Sequence, residues 1–168
     1  MPLQEFTIHL DRQPTDDELD LLYEVGFDDS SPEIGNGRAM IHVTREADNL
    51  IDAILSAVEQ IQTAGFRATA IEDEDLVSLK TIAERVGRSY ESVRLLSTGK
   101  RGPGRFPPSL SGDGWSMYSW AAVSTWFAQH YDTAAETDER VRVLAAADLL
   151  LRARALVPDL GPLAKLAA

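Results

Sequence analysis

The dipeptide Asn36-Gly37 restricts what this chain can fold into more than any other pair of its residues. Both residues tolerate positive φ, which a two-residue type I′ turn requires at both central positions. "SPEI" precedes the pair and "RAMIHVT" follows it, two short strand-like pieces. An antiparallel hairpin is therefore expected in the middle of the first 75 residues.

The flanks of that hairpin match each other. "FTIHLD" alternates Phe6, Ile8 and Leu10 with Thr7, His9 and Asp11, the period of a half-buried strand. "PTDDELDLLYEVGF" reads as a helix with Thr15 and Glu18 as a capping box, an apolar stripe of Leu19, Leu22 and Tyr23, and Gly26 as its stop. Beyond the hairpin, "DNLIDAILSAVEQIQTAGF" carries Ile51, Ile54, Leu55, Val58 and Ile61 at helical period, with Gly65 ending it. "FRATAIE" supplies a last strand. Strand, helix, hairpin, helix, strand is the order of the split βαβ, or ferredoxin-like, arrangement. With no cysteine in the chain, the term describes topology only, and no disulfide or thiolate metal site can form.

Charge divides the chain further. Formal net charge is -11 and the isoelectric point about 4.6. Residues 1–75 hold 18 acids and 4 bases, whereas residues 76–118 hold 7 bases and 3 acids. The last 50 residues are nearly balanced, with 5 bases and 6 acids. Such asymmetry suggests modules with separate tasks. The acidic "EDED", Glu72 to Asp75, reads as a charged linker rather than a cation site.

"SLKTIAERVGRSYESVRLLSTG" lies in the basic third. A helix is expected from about Leu79 to Val86, with Ile82, Ala83 and Val86 on one face, and a second from the cap Ser89 to about Ser97, with Val93 and Leu96 facing back. Small Ala83 lets the helices approach, Gly87 takes a left-handed turn that a side chain resists, and Val93 closes the wedge. That spacing is the pattern of helix-turn-helix proteins. From Leu76 to Phe127 the chain resembles the winged helix-turn-helix of the MerR, AlpA and excisionase-type superfamily, closest to short actinobacterial regulators. The resemblance covers under a third of the chain and excludes the N-terminal module. It implies a helix in the major groove, a two-stranded wing on the phosphate backbone and a following helix opened by a tryptophan. MerR regulators place effector and dimer elements after this domain, whereas here the extra module precedes it. Their metal- and drug-sensing habits therefore do not carry over.

The site residues follow from that frame. Arg94 is the candidate for bidentate contact to guanine, Ser89 and Tyr90 for phosphate or a base edge, and Arg88 for phosphate. Glu84 and Glu91 are expected as intrahelical partners. "GKRGPGRFPPSL" carries Lys100, Arg101 and Arg105 toward the wing, the glycines giving close approach to phosphate and Pro103, Pro107 and Pro108 limiting unbound freedom. "SGDG" is the expected wing tip and "WSMYS" the returning strand. "KRGPGR" is also similar to an AT-hook core in composition, though not in residue order. "SWAAVSTWFAQHY" is a closing helix capped by Ser119, with Trp120, Val123, Trp126 and Phe127 as core.

In the tail, "TAAETDERVRVLAAADLLLRARAL" reads as a helix with Asp138 and Glu139 in its first turn and Arg152 and Arg154 in its last. Leu144 to Leu151 is apolar on almost every face except Asp148, which suggests burial on two sides and a subunit partner. "VPDLGPLAKLAA" reads as a short final turn or helix.

The expected fold class is α+β: a ferredoxin-like βαββαβ module over residues 1–75, a winged helix-turn-helix over 76–131, and a helical tail over 132–168. The expected function is sequence-specific binding of double-stranded DNA in transcription regulation, by a cytoplasmic dimer. The rival is an adaptor or antitoxin-like factor whose acidic module binds a protein partner. No catalytic, phosphate-loop or EF-hand motif points to an enzyme, a cofactor or a membrane. His9 and His42, although on neighbouring strands, read as polar surface rather than metal ligands.

Overall fold

The computed structural model describes residues 1–112, 115–131 and 139–168. It is a mixed α+β chain with antiparallel sheets. Two compact units emerge, one of residues 1–72 with 143–168, the other of residues 73–142.

The first unit is built on strands β1 (Leu3–Leu10), β2 (Ser30–Gly35), β3 (Arg38–Glu46) and β4 (Ala68–Ile71), in the order β2-β3-β1-β4. Helix α1 (Asp16–Glu24) follows β1, and helix α2 (Leu50–Thr63) follows β3. Asn36 and Gly37 both have positive φ, 51° and 75°, and hold β2 on β3 in a register that runs from Gly35–Arg38 to Ser30–Val43. The Thr15–Glu18 capping box forms as the sequence indicated. Phe6, Ile8 and Leu10 of β1 and Ile41 and Val43 of β3 face inward, where Ile54, Ala57 and Ile61 of α2 meet them. The next inward position of β3 is Arg45. Its buried guanidinium donates to both carboxylate oxygens of Asp29, at 2.8 and 3.0 Å, and to Ser56 at 2.8 Å. A buried charge is tolerated when its donors are satisfied in this way.

The expected apolar stripes form in part: Leu22, Ile54 and Ile61 are buried and Leu19 and Val58 pack against the core, but Tyr23, Ile51 and Leu55 are exposed, and α2 also buries Leu50, Ala53 and Ala57. Small Ala53 and Ala57 let the helix backbone approach the sheet, an advantage that periodicity alone does not weigh.

Helix α6 (Glu139–Leu156) buries Leu144, Asp148 and Leu151, while Leu149 and Leu150 stay exposed. The expectation that Asp148 marks the polar face is thus reversed. Its carboxylate accepts the N–H of Ile71 at 3.0 Å, and Arg154 donates to the carbonyl of Ala68 at 3.2 Å. An acid and a base six residues apart satisfy a donor and an acceptor of β4, an outer strand of its sheet. Residues from Val143 onward thus belong with the first unit, where the sequence suggested a separate helical tail over 132–168 for packing or dimerisation. Asp138, assigned to the first turn of this helix, lies outside the described residues. A short 3-10 helix, Gly161–Ala167, ends the chain described.

The second unit contains β5 (Leu76–Ser78), α3 (Leu79–Val86), α4 (Tyr90–Ser97), β6 (Met117–Ser119) and α5 (Trp120–His130). Serine caps all three helices: Ser78, Ser89 and Ser119 accept from Thr81, Ser92 and Ala122. Strand β5 pairs antiparallel with β6, Val77 opposite Tyr118. Val77, Ile82, Ala83, Val86, Val93, Leu96 and Phe127 are among the residues of one core. Asp75 is more than a linker residue. Its carbonyl accepts the N–H of Trp120 and its carboxylate the N–H of Ala121, both at 2.7 Å, so it holds the start of α5.

Candidate nucleic-acid interface

Local chemistry places α4. Gly87, at φ 66° and ψ 33°, ends α3 in the left-handed region and turns the chain. Ser89 then opens α4, its hydroxyl already engaged by the N–H of Ser92 at 3.2 Å. That occupies one acceptor position of a residue expected to meet phosphate. Tyr90, at the first helical position, is 53% exposed.

Arg94 is partly exposed and bound to Glu91 through two bonds, 2.8 Å from Nε and 2.6 Å from Nη2. This bonding lifts the Arg94 guanidinium above its ordinary pKa, and the same bonds to Arg94 hold the Glu91 carboxyl below its own, with the charge of Lys100 contributing. Glu91, Arg94 and Lys100 thus form one electrostatic group. The guanidinium fork is already aligned, and its bidentate partner in the free chain is a carboxylate.

Arg88, expected at a phosphate, is seated on aromatic rings. Its guanidinium lies 4.3 Å over the Tyr131 ring and 5.8 Å from that of Phe127, which fixes its position while leaving its charge uncancelled.

The segment from Lys100 to Phe106 is pinned from several sides. The N–H of Arg101 bonds the carbonyl of Leu95 at 3.2 Å, and Trp126 Nε1–H donates to the carbonyl of Gly104 at 3.0 Å. Phe106 packs edge-on against Tyr118, Trp126 and Phe127. A β-carbon on Gly102 would come within 2.5 Å of Leu96 Cδ2 and 2.8 Å of Tyr131 Oη. The close approach that requires this glycine is therefore to the protein's own core. Lys100, Arg101 and Arg105 remain exposed and make no ion pair among the described residues.

The first wing strand does not form. Among the described residues no strand lies between Ser97 and Met117, and β6 pairs with β5 instead. Pro107 and Pro108 have no N–H to donate, and Arg105 sits at φ 54°, so a ladder cannot extend through them. What closes the loop is the N–H of Leu110 on the carbonyl of Met117 at 2.7 Å, with Ser111 Oγ accepting from the N–H of Met117 and donating to the carbonyl of Trp115. Asp113 and Gly114, half of the expected tip, lie outside the described residues.

Sequence reasoning missed the roles of Tyr131 as the seat of Arg88 and of the Trp126 indole as an anchor for the basic loop. Both are aromatic residues near the end of α5, and nothing in their spacing distinguishes a core ring from a platform. Among the described residues no helix is long and apolar enough to cross a membrane, and no group of three or more His, Cys, Asp or Glu side chains could hold a metal ion. His9 bonds Glu72 and His42 bonds Thr7 and Glu33. Compared with known proteins, the chain matches no family model, no curated protein and no solved structure.

Proposed function

We propose that the second unit is a helix-turn-helix domain, with a basic loop in place of a two-stranded wing, that grips double-stranded DNA, and that the protein is a transcription regulator acting as a dimer. Helix α4 is the recognition helix in the major groove, and the loop from Lys100 to Arg105 lies on the phosphate backbone. The observation that carries this reading is the pairing of a left-handed Gly87 between two short helices with a rigid loop whose cations are unpaired. Between Glu91 and Asp113 the chain has four bases and no acid. A loop held at its backbone and free at its cationic tips loses little entropy on meeting a polyanion. The first unit reads as ferredoxin-like, supported by its all-antiparallel order β2-β3-β1-β4. It serves as the dimerisation, protein-contact or sensing module.

The test is fluorescence anisotropy of a labelled mixed-sequence duplex with the intact chain across a salt series. Arg88, Lys100, Arg101 and Arg105 would neutralise four phosphates. Log affinity then falls with log salt at a slope of about -3 to -4, roughly a hundredfold loss between about 50 and 200 mM. No binding at the lowest salt, or a slope near zero, overturns the reading.

A further inference from the structure

We propose that Trp115, with Leu110 on the same loop, is an apolar wedge that inserts at a base step of duplex DNA. The inference rests on the DNA-binding reading above and adds a non-electrostatic contact to it.

Three tryptophans occur in the chain. Trp120 and Trp126 are buried and hold the core of the second unit, whereas Trp115 is 77% exposed. Leu110 is also exposed. Leaving so large an apolar ring in water forgoes about 25 cal/mol for each Å² that burial would remove. Yet the backbone beneath it is well held. The carbonyl of Trp115 accepts from Ser111 Oγ, that oxygen accepts from the N–H of Met117 at 3.1 Å, and the N–H of Leu110 bonds the carbonyl of Met117. These bonds hold the backbone at Trp115 while its indole stays exposed.

The setting names the occupant. Lys100, Arg101 and Arg105 lead into this loop with no acid among them, and Phe106 anchors the segment between them in the aromatic core. Between Glu91 and Trp115 the chain has four bases against the single acid Asp113, so the stretch that leads to this exposed ring is cationic on balance and fits a polyanion with flat apolar surfaces inside it. Duplex DNA offers these at its base steps, where apolar side chains enter from the minor groove and partly unstack the pair. Cations hold the backbone and the ring enters between bases, so the loop contributes a contact that salt does not screen.

The test uses the intact chain and the same labelled duplex, with tryptophan emission and a 2-aminopurine reporter in the DNA. Because the other two indoles are buried, long-wavelength emission reports Trp115. The expected result is quenching of that emission on duplex binding and a rise in 2-aminopurine emission. Trp115→Ala should lose both signals and about tenfold in affinity, in line with the worth of one stacked aromatic. Its salt slope should not change, and Trp115→Phe should recover most of the affinity. Salt-dependent binding by the native chain with unchanged emission and no loss in Trp115→Ala overturns the wedge and leaves the DNA-binding reading standing. Absence of any duplex binding overturns both. Quenching or a blue shift that depends on protein concentration alone assigns Trp115 to a protein contact and overturns the wedge.

Discussion

The buried carboxylate of Asp148 accepts a hydrogen bond from the backbone N–H of Ile71 at 3.0 Å, 77 residues away in sequence. A helix residue thereby satisfies a donor on an outer strand of the sheet. Asp148→Ala leaves that N–H buried without an acceptor, at a cost of about 1–3 kcal/mol. Asp148→Asn keeps an acceptor oxygen and should cost less. Urea unfolding of the two variants checks the order. The alanine variant should also aggregate more readily, because β4 is less covered.

Glycines 102 and 104 both have positive φ, 80° and 78°, but only Gly102 faces neighbours that a methyl would strike. Gly104→Ala should therefore cost only the left-handed penalty, about 1–2 kcal/mol. Gly102→Ala should cost about 1–3 kcal/mol beyond that, because Leu96 and Tyr131 must shift. Thermal unfolding measures both. Equal losses would mean that the loop is not seated on the core.

The Glu91–Arg94 pair sets a competition on α4. Arg94→Ala should reduce discrimination between specific and random duplex by about 1–3 kcal/mol at one base position. Arg101→Ala should weaken binding to all sequences alike and flatten the salt slope by about one. Glu91→Gln should raise affinity for every duplex, since it removes a negative charge and releases the guanidinium. Anisotropy titrations at two salt concentrations separate the three outcomes, and equal loss on specific and random duplex for Arg94→Ala would remove that residue from base readout.

Glu18 carries a pH dependence. Hydrogen bonds from Arg12, then from the Thr15 backbone, hold its carboxyl down to about 2 from an ordinary 4.5. A carboxyl depressed on folding stabilises the native state fully above its unfolded value, and that stabilisation fades as pH falls through the folded one. The native chain should be more stable than Glu18→Gln at neutral pH, with the gap closing between about pH 4.5 and pH 2. Melting temperatures of both across that window test it, and a constant gap would contradict it.

Much of the local structure was legible in the residues alone. Asn36-Gly37, the Thr15–Glu18 box, Gly87 and the caps Ser89 and Ser119 act through backbone geometry within a few residues, so their outcome is written where they stand. The failures came where two elements had to choose each other. Ile51 and Leu55 have the period of a core face, yet Ala53 and Ala57 occupy it, because how closely a helix approaches a sheet depends on both partners. "GRFPPSL" alternates too little and donates too few N–H groups to become a strand, but only the pairing of β5 with β6 shows where that edge is used.

By itself the sequence determined the turns, the caps, the uneven charge and the basic acid-free run from Arg94 to Arg105. Tertiary structure alone decided that Asp148 is an interior residue, that Arg88 rests on Tyr131, and that Gly102 and Trp126 lock the cationic loop to its core. The physical reason is range. Backbone torsions and capping bonds close within four or five residues, whereas a desolvated carboxylate or a stacked guanidinium finds its partner only after distant elements have packed.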